Sequence, residues 1–257
     1  MVKNQETAWL LQEKYAGIES AAFFADCARL SAGEPLAYLI GHAPFLDCTI
    51  HIDSHPLIPR VETEFWVEIA ITTISQKVRS LTPHLRILDL CAGSGAIGVA
   101  VAKAVPGAGV TFTEIDPAHL PSIQKNLSEN IFEYPNRLGY YSVVESDLFS
   151  ALQTAEQYDY ILTNPPYIDA TANTVDAGVA AYEPHLALFG GVAGMEIITR
   201  IITESPTHLA PTGQLWIEHE PSQVVAITTL AQMHRFTCVT HPDQYNTPRF
   251  SVLSMAQ

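Results

Sequence analysis

Two segments of the sequence carry residues whose types and spacing could do chemistry, and the first is Asn164-Pro165-Pro166-Tyr167, directly after the apolar run 158–163. Two prolines after a strand end its pairing and stiffen the loop, and Pro165 keeps Asn164 extended. The Asn164 side-chain oxygen and the Pro165 carbonyl can each accept one N–H of an amide or exocyclic amine, while Tyr167 stacks on the flat group. These residue types favour methyl transfer to a planar nitrogen. The alternative is an Asn-Pro turn beside a core tyrosine.

The second segment is a glycine-rich turn between an apolar run and the start of a helix, within residues 86–98. Gly93 and Gly95 let the backbone approach a ligand closely, and together with Gly98 they match the spacing of a dinucleotide fingerprint. Glu114 ends the next apolar run, where a carboxylate can accept hydrogen bonds from both hydroxyls of a ribose. The pattern predicts a nucleotide-like cofactor. The alternative is a glycine turn that only allows close packing of helix and strand.

Further acidic residues distinguish between two cofactor classes that use this layout. A dinucleotide places a pyrophosphate at the helix N-terminus, whereas S-adenosylmethionine carries a sulfonium, an ammonium group and a carboxylate. Asp89, beside the loop, suits the ammonium group, directly or through water. Asp147 can reach an adenine amino group with Leu148 against the ring, or it can cap the following turn. Together the acids favour S-adenosylmethionine.

These segments need a scaffold that brings several strand ends together, and the chain from residue 86 onward predicts one. Short apolar runs alternate with amphipathic stretches, which is typical of an α/β fold with a mostly parallel sheet and helices on both faces. Runs near 236–241 and 248–254 are predicted to add an antiparallel edge pair. The predicted strands are 86–90, 110–114, 141–145, 158–163 and 214–218, and the predicted helices are 96–105, 117–130, 194–208 and 221–233.

The chain before residue 86 is predicted to form smaller units. Residues 5–30 are expected to be one long helix, residues 36–60 a short strand pair, and residues 62–78 a second helix. The residues expected on the buried faces are Leu11, Tyr15, Ile18 and Ala22 in the first helix, and Phe65, Ile69 and Ile74 in the second.

The predicted division of the chain follows from these patterns. It consists of a short N-terminal helical extension over residues 1–33, a connecting hairpin and helix over 34–80, and the cofactor-binding domain over 81–257.

Composition and charge exclude several classes of function. The 257 residues carry a formal net charge of −14, which disfavours nonspecific binding to nucleic acid and to anionic membranes. The four cysteines match no metal-ligand spacing, and His51 and His55 are expected at the surface, so we predict no metal site. Neither a signal peptide nor an apolar run of membrane-spanning length is evident. We therefore expect a cytoplasmic protein. We also expect it to be a monomer.

At the level of motifs the sequence resembles the class I S-adenosylmethionine-dependent methyltransferases. More narrowly, it resembles the peptide-chain release factor glutamine N5-methyltransferases. Four segments carry the narrower resemblance, and they are Glu34-Pro-Leu-Ala-Tyr-Leu-Ile-Gly41, Leu57-Ile-Pro-Arg-Val-Glu-Thr-Glu64, Glu183-Pro-His-Leu-Ala-Leu-Phe-Gly-Gly191 and Thr247-Pro-Arg-Phe250.

The resemblance implies a Rossmann-like sheet, S-adenosylmethionine as methyl donor, and a release factor as protein substrate, methylated on the glutamine of its Gly-Gly-Gln loop. It implies that Arg60 and Glu62 shape the mouth of the pocket, or else form a structural salt bridge. The catalytic residues implied are Asn164, Pro165, Pro166 and Tyr167. The cofactor-lining residues implied are Cys91, Ala92, Gly93, Ser94, Gly95, Glu114 and Leu148. Together with Asp89 and Asp147, which are predicted from their position above, and Asn164, they form the predicted cofactor site.

The sequence departs from the family pattern in a few places and leaves alternatives open. Cys91 and Ala92 stand where Gly and Thr are usual, Glu114 where Asp is usual, and the N-terminal helical region is short. One alternative is a DNA or RNA amino-methyltransferase, which the negative charge disfavours. Another is a non-catalytic cofactor-binding subunit. A nicotinamide dehydrogenase would leave the Asn-Pro-Pro-Tyr segment unexplained.

Overall fold

The computed structural model describes residues 2–80, 85–131, 141–172 and 177–256 of the chain. Within them, a seven-stranded sheet follows a separate two-stranded hairpin. The strands are β1 (His42–Phe45), β2 (Cys48–His51), β3 (Arg86–Leu90), β4 (Gly109–Glu114), β5 (Tyr141–Glu145), β6 (Tyr158–Thr163), β7 (Leu209–Glu218), β8 (Phe236–Pro242) and β9 (Pro248–Met255). The helices are α1 (Val2–Tyr15), α2 (Ala21–Ser31), α3 (Leu36–Ile40), α4 (Val61–Ser80), α5 (Ala96–Ala104), α6 (Leu120–Ile131), α7 (Ala177–Tyr182), α8 (His185–Leu188), α9 (Glu196–Glu204) and α10 (Val224–Met233).

The main sheet has the strand order β5-β4-β3-β6-β7-β9-β8. Its first five strands are parallel, β9 is antiparallel to β7, and β8 pairs antiparallel with β9 at the edge. Apolar residues of α4, α5 and α6 pack on one face, and those of α9 and α10 pack on the other. The predicted Rossmann-like fold and its antiparallel edge pair are therefore confirmed.

The strand order reverses between β3 and β6. From β3 the sheet continues through β4 and β5 on one side, and from β6 it continues through β7 on the other. Open parallel sheets leave a crevice at the carboxyl ends of the strands at such a point, and ligands bind there. Leu90 of β3 pairs with Thr163 of β6, so the glycine loop and Asn164 leave neighbouring strands at the same level. The fold thus brings the two chemistry-bearing segments together.

The N-terminal extension contains two helices, so the prediction of one long helix over residues 5–30 is wrong. Gly17 takes a left-handed conformation after α1 (φ 81°), and the Ser20 side chain accepts a hydrogen bond from the Phe23 N–H at the start of α2. Leu10 is fully buried while Ile18 is exposed, because the turn removes Ile18 from the helical face. The buried residues of α1, α2 and α3 form their own small apolar cluster.

The connecting segment forms the predicted hairpin and helix, and both pack onto the main sheet. The buried face of α4 includes Trp66, Val67 and Ala70 together with the predicted Ile74, whereas Ile69 is 39% exposed and Phe65 only half-buried. The predicted face was rotated by about one residue, because a run of apolar residues at 65–67 does not identify which of them faces inward. Trp66, which is fully buried, packs in one apolar cluster with residues of β3, β4 and α5.

Two predictions about organisation concern the whole chain. The boundaries at residues 33 and 80 stay predictions; the structure adds that α3 packs with the extension and that the hairpin packs with the sheet. Among the described residues, no helix is both long and apolar enough to span a bilayer.

Candidate active site

A cleft of about 1120 Å³, its open mouth included, lies above the carboxyl ends of β3, β4 and β6. A concave site at this edge of an open α/β sheet is where small molecules usually bind. One wall comes from the connecting segment and the other from the segment after β6. The predicted site residues that line it are Cys91, Ala92, Gly93, Ser94, Glu114, Asp147, Leu148, Asn164 and Pro166.

The glycine loop forms the floor of the cleft in a strained backbone conformation. Cys91, Gly93 and Gly95 all have positive φ, at 61°, 54° and 78°. Gly95 faces away from the cleft, because a Cβ there would stand 3.0 Å from the Ile123 side chain. A Cβ on Gly98 would meet the Phe112 ring at 2.3 Å, so this third glycine allows helix α5 to sit close on the sheet. Glycine is required here both for the turn and for packing.

Asp89 lies beneath the loop and outside the cleft lining. Its side chain is fully buried, and its Oδ2 accepts a hydrogen bond from the Gly98 N–H at 2.8 Å. Burial raises the pKa of this carboxyl well above its ordinary value. Oδ2 thus faces the start of α5, whereas Oδ1 has no partner among the described residues. The predicted contact with an ammonium group, direct or through water, stays a prediction.

Glu114 ends β4 inside the cleft, and its carboxylate is held by the backbone. Oε2 accepts from the Gly93 N–H at 2.7 Å and Oε1 accepts from the Asp116 N–H at 2.9 Å. A carboxylate oxygen has capacity for a second hydrogen bond, so both oxygens can still accept from a ligand. The residue thus fixes the loop and presents two acceptors in the place that the sequence predicts for a ribose.

Asp147 and Leu148 follow β5 and close the far end of the cleft. Leu148 is buried in a left-handed conformation (φ 51°), which the Ser146 hydroxyl supports by donating to the Leu148 carbonyl. Both Asp147 oxygens accept from the Arg200 guanidinium, at 2.9 and 3.1 Å. An adenine amino group would share this half-exposed carboxylate with Arg200, so the predicted adenine contact stays a prediction.

Asn164 lines the cleft directly after the end of β6. Its Nδ2 donates to the Thr63 hydroxyl at 3.1 Å, and Thr63 also lines the cleft. No described residue donates to Asn164 Oδ1 or to the Pro165 carbonyl. These are the two acceptors that the sequence assigns to the N–H groups of a substrate amide. Pro165 itself is buried and outside the lining, and Pro166 lies on the rim.

Tyr167 faces away from the cleft and into the protein. Its hydroxyl donates to Glu218 Oε1 at 3.0 Å, and burial together with Glu218 raises its pKa well above the ordinary value. Its ring packs in the apolar cluster beneath β6 and β7. The predicted stacking on a substrate stays a prediction; in this structure the side chain anchors the loop instead.

The backbone of the Asn-Pro-Pro-Tyr loop is braced by the segment that follows it. The Tyr167 carbonyl accepts from Gln223 Nε2 at 2.8 Å. A Cβ on Gly190 would stand 2.3 Å from the Pro166 carbonyl oxygen, and one on Gly194 would stand 1.8 Å from the Tyr167 carbonyl oxygen. Only glycine allows these chain segments to approach so closely, which explains part of the glycine content of this region.

An ion pair joins the two walls of the cleft. Arg60 donates to Glu183 Oε1 at 2.5 Å, and the Ile58 N–H donates to Glu183 Oε2 at 3.1 Å. The Glu183 side chain is 2% exposed and that of Arg60 is 32% exposed. The sequence left open whether Arg60 shapes the pocket mouth or forms a structural salt bridge. In the structure it lines the cleft and also forms a salt bridge. Glu62 is not among the described residues that line the cleft.

Sequence reasoning missed Glu218, which organises the site from below. It is 1% exposed and accepts from the Thr63 hydroxyl, the Trp66 indole N–H and the Tyr167 hydroxyl. Burial raises its pKa, although these three hydrogen bonds act in the opposite direction. A signal existed, because a carboxylate that ends a buried apolar strand must find partners. Nothing in the sequence indicated which residues those partners would be.

The residues present fit S-adenosylmethionine. The left-handed turn leaves open backbone above Gly93, the Glu114 oxygens retain capacity for ribose hydroxyls, and an unpartnered buried oxygen, Asp89 Oδ1, lies beneath the loop. The described residues contain no cluster of three or more metal-ligating side chains. The carboxylates of Glu114 and Asp147 in the lining are therefore acceptors suited to the hydroxyl and amino groups of a nucleoside.

Comparisons with known proteins agree with this geometry. A family model for the methyltransferase small domain matches residues 70–183. The structure resembles ribosomal protein L11 methylase from Lactobacillus delbrueckii subsp. bulgaricus, with a TM-score of 0.52 and 17% identity over 80% of this chain and 83% of that one. It also resembles the N-terminal domain of human METTL16 in complex with SAH, with a TM-score of 0.55 and 19% identity over 82% of this chain and 76% of that one. These likenesses show a class I methyltransferase fold.

Relatives found by sequence identify the family within this fold class. A release factor glutamine methyltransferase from Bifidobacterium longum is 34% identical over 86% of this chain and 75% of its own length. One from Bordetella pertussis is 34% identical over 89% of this chain and 82% of its own length. The similarity thus extends beyond the cofactor loop to the connecting segment and the segment after β6, which form the walls of the cleft. The chain belongs to the release factor glutamine methyltransferase family.

Proposed function

We propose that this protein is an S-adenosylmethionine-dependent enzyme that methylates the N5 nitrogen of a glutamine side chain in the Gly-Gly-Gln loop of a translation release factor. The proposal rests on the hydrogen bonding of the Asn164 side-chain amide. Its Nδ2 is bound to Thr63 while its Oδ1 has no donor among the described residues, and it lines a cleft whose floor is the glycine loop.

The chain's own residues act by orientation. Asn164 Oδ1 accepts one N–H of the glutamine amide and the Pro165 carbonyl accepts the other, which turns the nitrogen lone pair toward the cofactor end of the cleft. S-adenosylmethionine, when bound, would supply an activated methyl group with a neutral thioether as leaving group. The glutamine nitrogen would gain this methyl group in place of one proton, which is released to solvent. Positioning of this kind can contribute roughly 7–11 kcal/mol.

The test is a methylation assay on an intact release factor. Purified protein, S-adenosylmethionine and release factor are incubated, and the peptides are mapped by mass spectrometry. We expect one added methyl group on the Gly-Gly-Gln glutamine, and none on a release factor with asparagine at that position. Asn164→Ala is expected to lower kcat by roughly 100- to 1,000-fold, because one oriented acceptor is lost. An unmodified glutamine, or methylation of an oligonucleotide instead, would reject the proposal.

We further propose that the enzyme acts as a monomer in the cytoplasm. Translation termination takes place there, and residues of a single chain supply both walls and the floor of the cleft. Sedimentation of the active protein checks the first point. An enzyme that is active only as a dimer would contradict it.

A further inference from the structure

A chain of hydrogen bonds leads from a buried carboxylate to the amide of Asn164. Glu218 Oε2 accepts from the Trp66 indole N–H at 2.6 Å and from the Thr63 hydroxyl at 2.7 Å. Thr63 in turn accepts from Asn164 Nδ2 at 3.1 Å. Thr63 is 3% exposed and Glu218 is 1% exposed, so water does not compete for these groups.

The direction of each bond in this chain is fixed by chemistry. An indole N–H can only donate, so the Glu218 oxygen that it contacts must be an acceptor. The Thr63 hydroxyl has a single proton, which is committed to the same oxygen. Toward Asn164 the hydroxyl can therefore only accept, and Asn164 must present its NH₂ group to Thr63. The amide oxygen is then left to face the cleft.

We propose that Glu218 and Thr63 are positioning residues that set the orientation of the Asn164 amide, so that its oxygen and not its NH₂ group meets the substrate nitrogen. The inference rests on the proposed function for its consequence in catalysis. With the amide reversed, two NH₂ groups would face each other, and the substrate would lose its acceptor. A buried polar group without a partner is disfavoured by roughly 1–3 kcal/mol, which makes the orientation selective.

The variant that isolates this role is Thr63→Val, which keeps the shape of the side chain and removes the hydroxyl. We expect kcat for release factor methylation to fall roughly 10- to 100-fold, because small errors of position have effects of that size. The Kd for S-adenosylmethionine should stay within a few-fold of wild type. Thr63→Ser restores the hydroxyl and should restore most of kcat.

A control variant separates positioning from a general effect of losing a buried hydroxyl. Ser251→Ala removes a buried hydroxyl of β9 that bonds to His219 and Thr240 rather than to Thr63, and it should leave kcat nearly unchanged. An equal loss of kcat in Ser251→Ala and Thr63→Val would overturn the proposal, and so would full activity of Thr63→Val.

A readout that needs no substrate distinguishes failure of this inference from failure of the proposed function. In ¹H–¹⁵N spectra, the side-chain NH₂ signal of Asn164, assigned by its loss in Asn164→Asp, should be slow to exchange with solvent in wild type and in Thr63→Ser. It should exchange faster in Thr63→Val. If wild type methylates no release factor but shows this pattern, the proposed function fails and the positioning role stands. The same exchange in all three proteins would overturn the inference.

Discussion

Two buried carboxylates of the site, Glu114 and Glu218, differ in the groups that donate hydrogen bonds to them. Glu114 receives backbone N–H groups on both oxygens, whereas Glu218 receives donors from side chains only. The first therefore ties the cofactor loop to β4, and the second ties Thr63 and Tyr167 to β7. A single change at either position has a predictable and different effect.

Replacing Glu114 by glutamine should weaken cofactor binding. Both oxygens accept from N–H groups, so the new NH₂ group must face either Gly93 or Asp116 as donor against donor. The ligand also loses one of two charged acceptor oxygens, and a hydrogen bond to a charged group contributes about 1.5–3 kcal/mol, so we expect the Kd for S-adenosylmethionine to rise roughly 10- to 100-fold. Isothermal titration calorimetry measures this. Asn164→Ala serves as the control and should bind nearly as wild type, since its oxygen faces the substrate; equal losses in both variants would contradict the division of roles.

The motif residues show how much of the site the spacing of residues in the sequence can predict. It identified both segments of the cleft, because glycine, proline and strand-ending acids have local consequences that depend little on the rest of the fold. It did not give the direction of Asp89 or Tyr167, since each turns toward a partner, Gly98 N–H or Glu218, that only the folded chain supplies. Thr63 and Glu218 were missed for the same reason.

At the scale of elements, the N-terminal extension is held together by a small polar cluster. Asp26 on α2 accepts from Lys14 at 2.6 Å and Tyr15 at 2.7 Å on one oxygen, and from Arg29 at 2.8 Å on the other. Burial alone would raise the pKa of Asp26, but these three hydrogen bonds together lower it below its ordinary value. The ionised carboxylate therefore stabilises the contact between α1 and α2.

The extension should consequently loosen in acid. Because the pKa of Asp26 is lower in the folded state, its contribution is complete above the ordinary carboxyl pKa of about 4 and is lost as the pH falls through the lower folded value. Hydrogen exchange in α1 and α2 should be much slower in wild type than in Asp26→Asn at pH 7, and the difference should shrink as the pH falls through the lowered pKa of Asp26. A difference that is independent of pH would show that the carboxylate charge is not responsible.

The elements themselves were predicted unequally. Strands β3, β4 and β6 were placed almost to the residue, because largely buried parallel strands are apolar runs with clear breaks. The first helix was predicted as one element instead of two, because Ser20 works as a helix cap only once Gly17 has turned the chain. The buried face of α4 was displaced by one position, since three consecutive apolar residues fit several helical phases.

For the whole molecule, the decisive feature is that the cleft joins parts that are distant in sequence. The glycine loop supplies its floor, the connecting segment one wall, and the segment after β6 the other, with Arg60 and Glu183 paired across it. The alternation of strands and helices predicted the sheet and its switch point. It did not predict that the connecting segment shares the core of the sheet, because that depends on long-range packing of side chains such as Trp66.

A ligand bound in this cleft contacts all three parts and should therefore stabilise the molecule as one unit. At a hundred times Kd, binding adds about 2.7 kcal/mol to the free energy of unfolding. For a chain of this length, that corresponds to a rise in Tm of roughly 5–10 °C. Differential scanning calorimetry with S-adenosylhomocysteine should show a single transition that moves upward in wild type and in Asn164→Ala. Glu114→Gln should need a proportionally higher ligand concentration for the same shift. A transition that splits, with only part of the heat moving, would show that the walls unfold independently of the floor and that the ligand does not couple them.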